Sequence, residues 1–479
     1  MDNILTATKS MTPKAKTAFM LDKWRGSDTI EAMKTANEYY RRRNVAIRGK
    51  ERDYKDAAGQ TVKSELSNQK IPSGFLRASV DQKVNYAFGN PFTLAVENME
   101  LTAEQREADT NAEVYLSEWN DLITPQFRNT VKRIVKNAVN NGIGWAYVWI
   151  GDDERLHIVD VPSETIYPKW DDRAHTSLDF IVRDYKVTDM SSGEDIEKVE
   201  YWDRETMLTI EGDEQTGDLT FHMTAGDNGV GWGRVPFIFI KSGDDELPLL
   251  NLIKEQIDAY DLHMSKSSDS LLDDIDPVLV LRSYSSEIGE LQAARKLLKD
   301  FRIAAVDGDG DAKYLQVQAD ISATQAKLEH LRKDIREFGA SVDTQDVKFG
   351  SNPSGIALRA MYQDLDIYIN GIETEFEVFF DNLKFFFDKW LEYRGIGTAE
   401  QWGAYRVIVT LVRDMMINEG EYIDKAAKLQ GMVSQQTLDE YLPIVESHEV
   451  EQARRDAEQP PGALEQFRRI LTENEETEE

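Results

Sequence analysis

"GIALRAMYQDLDIYINGIETEFEVFFDNLKFFFDKWLEY", residues 355 to 393, contains no proline and only one glycine past its first position, Gly371. With so few breakers it reads as one helix of about forty residues, about 60 Å long. Gly371 is the natural place for a bend, with a packing role as the alternative. A compact globule has no need of a helix this long. Just upstream, "VKFGSNPS" (347–354) sets Gly, Asn, Pro and Ser against the helix start. Free N–H groups at a helix N-terminus can cradle a phosphate. Here Pro353 and a cap from Ser351, Asn352 or Ser354 would satisfy them locally, and Gly350 and Gly355 supply hinges.

Working outward, a second long helix fits about 247 to 275. Leu249, Ile253, Ile257, Tyr260, Met264, Leu271 and Ile275 form its apolar stripe, and Pro277 closes it. Its other faces are acidic: Glu255, Asp258, Asp261, Asp269, Asp273 and Asp274 are answered only by Lys254 and Lys266. A compact insert follows, with a strand at "PVLVLRS", a helix at "SEIGELQAARKLLKDF" and a hairpin around "DGDG". "TQAKLEHLRKDIREFG" then gives another helix, striped by Leu328, Leu331, Ile335 and Phe338. The order is helix, insert, helix, loop, long helix.

The N-terminal half reads differently. A helix is expected over 28–49, ending in the basic run "YYRRRNVAIRGK", and a mobile polar loop over 50–72. "SGFLRASVDQKVNYAFGNPF" places Leu76, Val80, Val84 and Ala87 at helical spacing before Gly89 and Pro91. In "PQFRNTVKRIVKNAVNNG", Phe127, Val131, Ile134, Val135 and Ala138 share one face, with Gly142 just beyond the end. From about 143 to 240, short β-branched or alternating runs such as "GWAYVWI", "LHIVDV" and "LDFIVRDYKV" predict a mostly antiparallel β region. "YRVIVTLVRDMMI" returns to strand character, residues 419–470 read as a small helical module, and "TENEETEE" as an acidic tail.

At 479 residues the chain has room for two or three domains. A formal charge of −31 argues against gripping nucleic acid by counterion release. The absence of cysteine removes disulfides and thiol nucleophiles and suits a reducing compartment. "MDNILTATKS" carries no signal-like apolar stretch, and nothing approaches a membrane span. "DGDGD" begins like a calcium loop at Asp307, Asp309 and Asp311, but Ala312 and Gln318 stand where Gly and Glu are needed, so a β-turn is the better reading. No P-loop motif occurs, "GVGWG" (229–233) reads as a flexible loop, and the six histidines are scattered. Carboxylate pairs such as "DD" at 273–274 would suit a metal-dependent nuclease, but among 87 acidic residues adjacency says little. No catalytic residue, metal or cofactor is assigned.

The sequence as a whole resembles the portal proteins of tailed double-stranded DNA bacteriophages, in the branch typical of long-tailed phages of Gram-positive hosts. The likeness lies in "VDQKVNYAFGNPFTL", "NNGIGWAYVWIGDDERLHIVDVPSETIYPKWDD", "KSGDDELPLLNLIKEQIDAYDLHMSKSSDSLLDDIDPVLVL" and "NPSGIALRAMYQDLDIYIN" taken together. The resemblance implies an α+β, mainly helical fold, with residues 1–246 as an N-terminal wing and 247–275 as a stem helix. Residues 276–321 would be a clip, 322–339 the second stem helix, and 340–354 a tunnel loop. The long wing helix and returning strand would take 355–417, and a helical crown with its tail 418–479. It further implies a non-enzymatic homo-oligomeric ring, usually of twelve copies, assembled in the host cytoplasm at one capsid vertex of the virion. Its partners would be terminase, major capsid and scaffolding proteins, and a head–tail connector, with double-stranded DNA passing through and no membrane contact. Val347, Lys348, Phe349, Gly350 and Asn352 would then face DNA. Glu255, Asp258, Asp261, Asp269 and Asp273 would line the stem, where acid repels phosphate and lets DNA slide.

Overall fold

The computed structural model describes residues 11–55, 60–62, 67–106, 109–211, 214–215, 219–223, 229–273, 278–282, 311–315, 321–343, 355–413, 426–441, 445, 451–452 and 454–455. Helix α1 (Pro13–Trp24) is capped by Thr12 and α2 (Asp28–Tyr40) by Ser27, each hydroxyl accepting a backbone N–H three residues on. The single helix expected over 28–49 is broken. Arg42 takes a left-handed φ of 60°, and Asn44 caps a separate turn, α3 (Val45–Arg48). Nor is 50–72 simply a loop, since β1 (Tyr54–Lys55) pairs with β2 (Thr61–Val62).

Helix α4 (Phe75–Phe88) buries Leu76, Val80, Val84 and Ala87, as its spacing predicts. Strand β3 (Thr93–Asn98) and α5 (Thr110–Leu122), capped by Asp109, were not signalled by periodicity. In α6 (Pro125–Asn141) the expected face, Phe127, Val131, Ile134, Val135 and Ala138, is buried throughout. Gly142 ends α6 at φ 89°, where a Cβ would stand 2.0 Å from the Glu246 carbonyl oxygen. Only glycine fits there.

Two antiparallel sheets follow. Strands β4 (Ile143–Ile150), β5 (Leu156–Val161), β6 (Ile166–Trp170), β7 (Leu178–Thr188), β8 (Asp195–Trp202) and β9 (Thr206–Glu211) run in chain order. After them come β10 (Glu214–Gln215), β11 (Thr220–Phe221) and β12 (Phe237–Lys241). One sheet has the order β10-β9-β8-β7-β6, with β11 also on β9, and the other β12-β4-β5. Their shared core holds Trp145, Phe180, Tyr201, Trp202, Phe237 and Phe239, with α1 contributing Met20. The alternation read from sequence works because one face of each strand meets this core. Within 229–233, Trp232 is fully buried against Phe386, so that segment is anchored.

Helix α7 (Leu250–Asp273) and α8 (Ile321–Phe338) form the expected pair. Between them, β13 (Val278–Arg282) pairs antiparallel with β14 (Asp311–Leu315). The predicted turn at 307–310 and the helix at 286–301 lie outside the described residues. Helix α9 (Gly355–Tyr393) is one 39-residue helix. It buries Phe376, Phe379, Phe380, Leu383, Phe386, Phe387 and Trp390. Those rings meet Phe92 (5.4 and 5.6 Å) and Trp119 (4.0 Å). Gly371 has nothing within 4 Å of an ideal Cβ, which removes close packing as its reason. After the short α10 (Ala399–Gly403), β15 (Tyr405–Thr410) pairs antiparallel with β3, closing α9 into the N-terminal half.

By internal contacts, Met1–Asp343 with Asp364–Asp414 form one unit, and Thr344–Gln363 with Met415–Glu479 a second. In the second, α11 (Gln435–Tyr441) buries Asp439, which accepts two hydrogen bonds from Arg455 at 2.7 and 2.8 Å.

Candidate functional site

The region the sequence points to is built on α7 and α8. Ile253 and Ile257 of α7 and Leu331 and Ile335 of α8 are buried along their seam. What lies on the other faces of α7 differs from expectation. Asp261 and Asp269 are 1% and 0% exposed, so they line no opening within this fold. They hold the chain between α3 and α4 instead. The Gln69 N–H donates to Asp269 Oδ1 (2.6 Å), the Ile71 N–H to Ser265 Oγ (3.1 Å) and the Ser73 N–H to Asp261 Oδ1 (2.8 Å).

Alternate residues of the strap thus meet every fourth residue of α7, running in the opposite direction. The match is geometric: two extended residues advance about 6.6 Å and four helical residues about 6.0 Å. Lys50 Nζ adds an ion pair to Asp269 at 2.5 Å, and Asn44 Nδ2 donates to Asp261 at 2.7 Å. Burial pushes the Asp261 carboxyl up. Asp258 is half-buried, accepting from the Tyr39 hydroxyl (2.5 Å) and Lys254 Nζ (2.6 Å). Burial and that carboxylate push the Tyr39 phenol up. Of the expected lining only Glu255 is exposed; the side chain of Asp273 lies outside the described residues. The outward face of α7 carries Leu252, Glu255, His263 and Lys266. That face is close to neutral. The lining expectation is corrected for Asp261 and Asp269, whose charge is spent inside the protomer.

The C-terminus of α8 is gripped from α4. Lys83, fully buried, donates to the Gly339 carbonyl, the Ala340 carbonyl (2.9 Å) and Ser341 Oγ (3.1 Å), over the ring of Tyr368. A cation at a helix C-terminus answers its free carbonyls and partial negative charge. Burial, helped by Arg336, pushes the Lys83 ammonium down to about 7. Gln82 completes the grip, its amide donating to the Val342 carbonyl (3.1 Å) and accepting the Val342 N–H (3.0 Å). Arg332 holds Asp343 at 2.6 Å. The chain is therefore fixed up to residue 343. Val347, Lys348, Phe349, Gly350 and Asn352 lie outside the described residues.

The strap and the Lys83 grip were missed in the sequence. Lys83 could have been found, because it falls on the buried stripe of α4 between Val80 and Ala87. A lysine there needs partners. The strap could not, since its donors are backbone groups that any sequence carries.

This arrangement joins a chain-long match to a known family. The family model described as phage portal protein, SPP1 Gp6-like, covers residues 24–479, so the chain belongs to the phage portal proteins. It is 26% identical over 425 residues to the portal protein of Bacillus phage SPP1, spanning 86% of this chain and 80% of that one. It is also 25% identical over 409 residues to the portal protein of Clostridium phage phiCD119, spanning 81% and 84%. Both names carry Gram-positive genera, as the resemblance implied.

Proposed function

We propose that the chain closes into a ring, of twelve copies in the expected form, at one capsid vertex of a phage. Double-stranded DNA passes through the ring during packaging and ejection. The ring docks terminase on one side and head–tail connector proteins in the mature particle, and it meets capsid and scaffolding proteins at its rim. Its role is structural and it catalyses no reaction. The observation that carries this reading is the family match over residues 24–479, which takes in the α7–α8 pair, the loop after it and α9 in one order.

In this reading α7 and α8 are the stem, 276–321 the clip, 340–354 the tunnel loop and 418–479 the crown. The corrected face of α7 changes the channel argument. With Asp261 and Asp269 inside the protomer, α7 offers DNA a nearly neutral face rather than a wall of acid, while α8 adds exposed Lys327 and Lys333 beside Glu329 and Glu337. Lys266 is the exposed base on described α7, and Glu255 stands three turns before it. On α7 itself, few phosphate–lysine contacts mean little affinity to overcome. Lys348 is the basic residue of the loop. Lys348→Glu is expected to leave rings intact in negative-stain images while altering the amount of DNA packaged. Rings that fail to form would make the loop structural, and unchanged packaging would remove Lys348 from the channel.

A further inference from the structure

Helix α6 carries a surface that the portal reading leaves unused. Its sequence holds Arg128, Lys132, Arg133 and Lys136 and not one carboxylate, in a chain of net charge −31. Arg133 is taken by Asp160 at 2.7 Å. The other three stand at i, i+4 and i+8, one stripe with about 6 Å between successive cations. No described carboxylate pairs with any of them, and Arg128 Nε is buried without a hydrogen-bond partner. The stripe is held in place rather than waving in solvent. Arg128 lies over the Phe92 ring, and Lys136 over Tyr40, whose other cation neighbour is Arg77.

A second face of the same unit shows the opposite chemistry. Helix α9 turns its phenylalanines inward onto Phe92 and Phe127, and leaves Ile367, Glu377, Val378 and Asp381 exposed. Glu377 and Asp381 are also one turn apart, and no described cation pairs with them. The apolar residues on this face, Ile367 and Val378 at 61% and 42% exposure, call for cover that water does not give.

We propose that the α6 stripe of one copy docks on the outward face of α9 in the next. The inference rests on the ring reading above. A ring needs a heterologous interface, made of two different surfaces that each copy carries. Copies of charge −31 repel one another, so contact is least costly where one side is locally positive. The matching i, i+4 spacing lets Lys132 and Lys136 meet Glu377 and Asp381 as a pair. A phosphate backbone would satisfy the cations but would leave Ile367 and Val378 uncovered, which favours a second copy.

The test compares ring assembly by native mass spectrometry and negative stain for wild type, K132E/K136E, and K132E/K136E carrying E377K/D381K. The reversed stripe is expected to raise the concentration for half-assembly about tenfold or more, with the thermal midpoint of the monomer unchanged, and the second pair to restore it. Normal assembly of K132E/K136E, or no rescue by the second pair, overturns the proposal. Normal rings that have lost salt-dependent DNA binding also overturn it, and make the stripe a phosphate site. A wild type that stays monomeric at every concentration overturns the ring reading and this interface with it.

Discussion

Helices α6 and α7 both carry charge of mostly one sign, yet the fold uses it in opposite ways. On α7 the carboxylates at 261 and 269 point into the protomer and fasten a strap. On α6 the cations at 128, 132 and 136 are half-buried and stay outside any described ion pair. The difference comes from neighbours. A helix covered by an extended chain must satisfy that chain's N–H groups, and a carboxylate does so better than any neutral side chain. Where the neighbours of a cation are aromatic rings, as for Arg128 and Lys136, the charge is left available. Charge counted along a sequence therefore says nothing about which face keeps it.

The largest effect expected from breaking this contrast is at Asp269. Asp269→Ala strips the fully buried partner from the largely buried Lys50 and the acceptor from the Gln69 N–H. It should cost about 3 kcal/mol in denaturant unfolding, because a largely buried cation and a backbone donor both lose their partner. A loss under 1 kcal/mol would mean the strap contributes little.

Next comes Lys83, whose effect depends on pH. Its folded pKa of about 7 lies below the ordinary 10.5. Between these values the unfolded chain holds a proton that the folded chain has released, so stability through this group rises from pH 7 toward pH 10 and is flat below 7. Lys83→Met should reduce that rise by about one proton's slope in thermal melts between pH 7 and 9.5. An identical slope in wild type and variant would show that the grip does not titrate there.

Smallest of all is the stripe itself. Lys132→Ala should change monomer stability by no more than about 0.5 kcal/mol and Lys136→Ala, which gives up its place over Tyr40, by no more than about 1 kcal/mol, since neither has an ion-pair partner among the described residues. Larger losses would mean these lysines pack the fold rather than await a neighbour.

Much of the architecture could be read beforehand. Helices α4, α6, α7, α8 and α9 fall within a few residues of their periodic stretches, because each buries one continuous apolar face. The β region was legible for the same reason at period two. What escaped was made by distant or local backbone geometry. Strand β3 exists because β15, about three hundred residues on, supplies its ladder. Helix α5 rests on Tyr115 and Trp119 meeting Phe387 of α9. The break after α2 is set by Arg42 at positive φ, a conformation that an arginine does not announce. For the site, sequence found the α7–α8 pair and the loop that follows, and misplaced two of the acids.

Membership of the portal family, the order of helices and strands, and the presence of α9 belonged to the sequence alone. These follow from spacing, composition and likeness, which need no partner to be visible. The strap on α7, the Lys83 grip at the end of α8 and the free cations of α6 belonged to the tertiary structure. A side chain's charge is inherited from the sequence, but its dielectric surroundings and partners come from chain segments folded against it, and those decide whether the charge tethers, grips or waits.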